Sequence, residues 1–156
     1  MSERDKQRLC ELTTKFNILA RRLVLFYSSK YPNDGNVEKQ KRRAMIIINE
    51  QPLESMRIVG TRFFKFKDII YSGKFHTMNE DEGKKYCPKG AKDVRDSILN
   101  NITSMWNTLS REEKDNIKKW TQKMLDIYVC YMSVLTEDKE AIQQVDEFLS
   151  NLKIND

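Results

Sequence analysis

The strongest constraint on this chain is a corner at Ser110. Before it, Val94, Ile98, Ile102, Met105 and Leu109 recur every three or four residues. After it, Ile117, Trp120, Met124, Ile127, Tyr128, Tyr131 and Leu135 do the same. That spacing predicts two amphipathic helices with a break between them. The break has a chemical cause. The Ser110 hydroxyl can accept the Glu113 N–H, and the Glu113 carboxylate can accept the Ser110 N–H. This is a capping box, so a new helix starts at Arg111. Glu112 and Glu113 then sit in its first turn, where negative charge opposes the positive helix end. Ala91 to Leu135 is therefore a helical hairpin or corner, and the rest of the chain has to pack on helices.

The remaining sequence extends this pattern. Leu9, Leu12, Phe16, Leu19, Leu23 and Phe26 step in threes and fours, with Ile18, Val24, Leu25 and Tyr27 widening the stripe near its end, and predict a first helix from about Glu3 to Ser29. Tyr31-Pro32-Asn33-Asp34-Gly35 ends it with turn chemistry. Asn36 is the expected cap of a second helix, Val37 to Glu50. Its first half carries the densest basic run, Lys39, Lys41, Arg42 and Arg43, and its second half, Ala44 to Ile48, is apolar. Pro52 suits the first position of a third helix, Leu53 to Val59, which Gly60 ends or kinks. Phe63, Phe66 and Ile70 fit one face of a further helical stretch ending at Ser72-Gly73; Phe64 to Lys67 also fits a short strand, with helix favoured, and Leu53 to Tyr71 is one bent element or two. Lys74 to Gly90 shows no apolar period. It reads as a long, mobile polar loop anchored by Phe75 and Tyr86. Thr136-Glu137-Asp138 caps a last helix carrying Ile142, Val145, Leu149 and Leu152. The expected fold is all-α: one domain over residues 1–156, a bundle of about five to seven helices with one long polar loop.

Composition agrees with that reading. Only 5 glycines and 3 prolines interrupt 156 residues, too few for a protein of short strands and tight turns. Hydrophobic residues make up 39% and charged residues 33%, enough apolar material for one core. No apolar run approaches the roughly 20 residues that span a bilayer. Charge occupies the first positions, where a signal peptide needs an apolar stretch. An odd count of three widely spaced cysteines suits reduced thiols. These observations predict a soluble intracellular protein without a membrane segment. The net charge of +5 is unevenly spread. Residues 1–92 hold 20 basic and 11 acidic side chains, net +9, and residues 93–156 hold 8 and 12, net −4.

Catalytic chemistry has few candidates. His76 is the only histidine, and Cys87 lies at the wrong spacing for a metal knuckle with it. Both are expected to be ordinary loop residues, His76 solvated. The five glycines do not cluster as a phosphate-binding loop requires. Asn79 to Gly83 lacks the ligand spacing of a calcium loop. No catalytic, cofactor-binding or metal-binding residue is assigned, no cofactor is expected, and the chain is read as a non-enzyme. Lys39, Lys41, Arg42 and Arg43 remain. They are possible contacts for phosphates or for an acidic partner, with Arg21, Arg22, Lys30, Arg62, Lys65 and Lys67 as possible extensions. Trp106, Trp120, Tyr128 and Tyr131 fall on or beside the helical stripes and are read as core.

Two resemblances follow from these residues. Ile102-x-x-Met105-Trp106-Asn107-x-Leu109-Ser110-x-Glu112-Glu113-Lys114, with Tyr128 later, looks like the second half of an HMG box, a family that bends DNA through its minor groove. The family's proline, basic strip and first-helix aromatics have no counterpart before Ala91, so this is read as convergence on one capped corner. The second resemblance is carried by Tyr31-Pro32-x-Asp34, Gln51-Pro52-Leu53, Phe66-x-x-x-Ile70 and Trp106-x-x-Leu109-Ser110-x-Glu112-x-Lys114, in that order. The order is similar to small α-helical proteins of unknown function encoded by large DNA viruses. That resemblance implies a virion or assembly context and no site residues. The expected function is a non-enzymatic helical interaction or structural protein with a protein partner or self-association. The alternative is a nucleic-acid-binding module using the basic helix face.

Overall fold

The computed structural model describes residues 1–77 and 103–154, and among these residues the protein is all-α with no strand. The elements are α1 (Glu3–Ser29), α2 (Gly35–Glu50), α3 (Pro52–Lys65), α4 (Lys67–Tyr71), α5 (Arg111–Leu135) and α6 (Lys139–Asn151), with 3₁₀ turns at Phe75–Thr77 and Trp106–Thr108. Residues 103–105 are helical as well. The earlier part of the helix expected before Ser110 lies outside the described residues, as do Met78 to Gly90 of the expected loop.

Two long helices organise the bundle. α1 has 27 residues and α5 has 25, about 40 Å each at 1.5 Å per residue, and they form the most extensive helix pairing. α2 folds back on α1, and α3 packs on α5, α1 and α2. α6 lies on α5 and on α1. The middle of α1 is enclosed: Phe16, Asn17, Ile18, Leu19 and Ala20 are all buried. Five consecutive residues cover every direction around a helix. The widened stripe holds at Ile18, Val24 and Tyr27, which are buried, and not at Leu25, which is exposed; Asn17 and Ala20 are enclosed as well, because neighbours cover α1 on all sides at that level. Asn17, 2% exposed, is tolerated there. Its amide donates to the Thr13 carbonyl at 3.0 Å and to the Pro52 carbonyl at 2.8 Å, tying α1 to the start of α3. Tyr27 sets the register of the α1–α2 hairpin by donating to Gln40 at 2.6 Å.

The corner forms as its chemistry predicts. The Glu113 N–H donates to Ser110 Oγ at 3.1 Å and the Ser110 N–H donates to Glu113 Oε1 at 3.0 Å. Glu113 also pairs with Lys30, the residue that closes α1. Those two donors hold its carboxyl below the usual carboxylate range, Lys30 contributing most. One residue thus starts α5 and fixes the end of α1 beside it.

Several local expectations are corrected or narrowed. α2 begins at Gly35, capped by Asp34 and not Asn36; Asp34 Oδ1 accepts from the Asn36 N–H at 2.9 Å and the Val37 N–H at 3.2 Å. Of the alternatives left open after Val59, α3 takes the continuous one, running through Gly60 to Lys65, and α4 follows as a second element. Within α3, Gly60 is buried against the Tyr128 ring, which an added Cβ would overlap, so its job is close packing and not chain termination. The helix breaks instead at Phe66, whose backbone leaves the helical region at φ −108°, ψ 26°. His76 is half-buried, not solvated. The 3₁₀ turn sinks Phe75 against Phe63 and lays His76 flat on Trp106, with centroids 4.2 Å apart and planes at 6°.

Candidate interaction surface

α2 is held from one side only. Val37 and Ile48 are buried, while Gln40, Lys41, Ala44 and Met45 are half-buried around them. At 100° per residue the opposite face is the row Lys39, Arg42, Arg43, Ile46 and Glu50, and all five are exposed. Three of the four basic residues singled out from the sequence therefore share one outward stripe. Lys41 does not. It sits on the flank of the packed face, with Nζ 3.8 Å from Glu38 Oε2. Glu38 also approaches Arg42, at 3.4 Å from Nε to Oε1. Both contacts are partly exposed pairs within one helix and hold the cations only weakly.

The apolar second half of α2 does not pack as a unit. Ile46 is 54% exposed and Ile47 39%, and only Ile48 is buried. Ile46 stands one turn from Arg42 and Arg43, inside the basic stripe. The neighbouring α3 adds exposed Leu53 and Ile58, and a shallow cleft of about 340 Å³ runs beside Arg57, Ile58, Thr61, Arg62 and Lys65. Thr61, which lines it, also shares a 2.9 Å hydrogen bond with the Tyr128 hydroxyl. Phe63 and Phe66, which interleave the basic residues of α3 in sequence, are buried in the core. They offer no ring to a nucleic-acid base.

A second surface feature had no sequence signal. A groove of about 590 Å³ lies between α5 and α6, closed at one side by Tyr71 of α4. Val129 and Phe148 give it apolar walls. Asp126 stands on the α5 wall and Glu147 on the α6 wall, and among the described residues no basic side chain lines it. The Tyr71 hydroxyl donates to Asp126 Oδ1 at 2.7 Å. Cys130 faces the same groove, and burial, followed by the Asp126 charge, pushes its thiol up to about 11. That thiol is protonated near neutral pH and is a poor nucleophile. Asp126 and Glu147 look like any solvent-facing charge in sequence, because the groove exists only once three separated elements meet.

Among the described residues, no group of three or more His, Cys, Asp or Glu side chains is placed to hold a metal ion. No described helix is long and apolar enough to cross a membrane. No family model, curated protein or solved structure matches the chain.

Proposed function

We propose that the chain is a non-enzymatic helical interaction protein whose contact surface is the outward stripe of α2. The observation that carries this reading is Ile46, half-exposed among Lys39, Arg42 and Arg43. A single exposed isoleucine needs no explanation on its own. Here α2 and α3, packed together, expose Ile46, Ile47, Leu53 and Ile58. Covering one such side chain stabilises a complex by about 1.5–3 kcal/mol, and the surrounding cations select an acidic partner and speed its approach. The resemblance to helical proteins of large DNA viruses supports an assembly setting for such contacts.

A nucleic-acid-binding role is the second reading, favoured by three cations on one arc, enough for two or three phosphates. It leaves Ile46 without a counterpart, since a phosphate backbone offers nothing apolar to cover it. Replacement of Ile46 with glutamate tests the main reading. Proteins captured by the wild-type chain, or its own association in sedimentation velocity, should be lost in Ile46→Glu while the helical circular dichroism is unchanged. If the variant captures and associates as the wild type does, the α2 stripe is not the contact surface.

A further inference from the structure

We infer that the partner of the α2 stripe is the α5–α6 groove of a second copy, and that each pair of copies makes this contact once, joining head to tail. The inference rests on the interaction reading above and names its partner. The two surfaces are complementary in sign and in shape class. α2 presents a convex row of Lys39, Arg42 and Arg43 with Ile46 among them. The groove is concave and apolar along Val129 and Phe148, with Asp126 and Glu147 on its two walls and, among the described residues, no cation to repel the stripe. An amphipathic helix laid in an apolar groove is a recurrent recognition mode, with anchors spaced three and four residues apart. Ile46 is the anchor, and Arg42 and Arg43, one turn before it, reach the carboxylates on the walls.

The two surfaces belong to different parts of one molecule. α2 packs on α1 and α3, whereas α6 packs on α5 and α1. A chain therefore presents both halves of the contact at once. The uneven charge of the sequence, net +9 over residues 1–92 and −4 over residues 93–156, has the sign such a contact needs.

The test uses two full-length variants in sedimentation velocity. One is Arg42→Glu/Arg43→Glu, which makes stripe and groove both acidic. The other is Asp126→Lys/Glu147→Lys, which makes both basic. Each alone should associate at least about tenfold more weakly than the wild type, and a 1:1 mixture should recover association, because each then meets an opposite surface. Because Asp126 is tied to Tyr71, the single variant Glu147→Lys, at an exposed position, serves if the double variant loses its helical signal. Wild-type association that survives Glu147→Lys and the double variant would overturn the groove's role and leave the α2 reading standing. So would failure of the mixture to recover. A wild-type chain that stays monomeric removes the second copy as partner, and loss of captured protein in Ile46→Glu then decides the α2 reading separately. Salt-steep binding of a DNA duplex, lost in Arg42→Glu/Arg43→Glu and unchanged in Glu147→Lys, would also overturn the inference by assigning the stripe to nucleic acid.

Discussion

Gly60 shows how a single residue is read in two ways. From the sequence it is a helix breaker, because glycine weakens a helix by about 1 kcal/mol relative to alanine. In the structure it lets α3 approach α5 closely enough for the Tyr128 ring to lie on its backbone. Tyr128 cannot easily swing away, since its hydroxyl is held by Thr61 and its ring packs on Tyr131 at 5.9 Å. Gly60→Ala should therefore destabilise the protein by about 1–3 kcal/mol, as overpacking does, in spite of the better helix propensity. A lower urea midpoint at unchanged slope checks this, and a rise in the midpoint would contradict it. Other residues divide along the same line. Ser110 and Glu113 were legible because a capping box is closed within four residues. His76 and Lys41 were not, because their surroundings are set by Trp106 across the chain and by which flank of α2 faces α1 and α3.

At the scale of elements, α6 depends on an ion-pair clamp. Arg8 holds Asp146 with two bonds, Nε to Oδ1 at 2.8 Å and Nη2 to Oδ2 at 2.7 Å, and Arg4 adds a third at 2.9 Å. Asp5 supports Arg8 at 2.7 Å. Arg8 first, then Arg4, hold the Asp146 carboxyl far below the usual carboxylate range. A depressed folded pKa means that the clamp contributes in full above the unfolded value of about 3.9 and fades as pH falls below it toward the folded value. Asp146→Asn should lower the neutral-pH stability by about 1 kcal/mol, allowing for solvent screening of a partly exposed pair. It should also flatten the fall in melting temperature between about pH 5 and pH 3. Thermal melts of both proteins across that range measure it, and an unchanged pH slope would rule the clamp out. Element boundaries were legible where caps and periods are local, as for α1, Glu3–Ser29, and α5, Arg111–Leu135. The end of α3 was not, because Phe66 breaks the helix where its ring enters the core, and no local breaker marks the place.

At the scale of the molecule, a contact between two different surfaces made once per pair of copies, as the head-to-tail arrangement has it, does not close on itself at two copies. It continues into rings or open chains, depending on the rotation between neighbours. Sedimentation of the wild-type chain should therefore show a ladder of species growing with concentration, not one dimer. Part of the attraction is Coulombic and screened over about 10 Å at 0.1 M salt, so added salt should shift the ladder toward monomer. A single dimer at every concentration would contradict the head-to-tail arrangement. The all-α class was legible from apolar period and the scarcity of glycine and proline. The groove was not, because complementarity between α2 and the α5–α6 face is a property of assembled surfaces. The basic run pointed to one of the two surfaces and gave no hint of the other.

The clamp between α1 and α6 also decides how the molecule answers a mechanical load. Arg4 and Arg8 lie near one end of the sequence, and Asp146 and Ile154 near the other, where Lys15 donates to the Ile154 carbonyl at 2.6 Å. Tension applied through residues close to both ends reaches these few polar contacts before it reaches the enclosed middle of α1. The pairs run in parallel order, residues 4 and 8 with 146 and residue 15 with 154, so the pull loads them together, in shear, along with the buried Val145, Leu149, Leu152 and Ile154. Handles fixed to the two ends would thus report on the α1–α6 contact as a whole, and handles placed within α1 and α5 would report on the core.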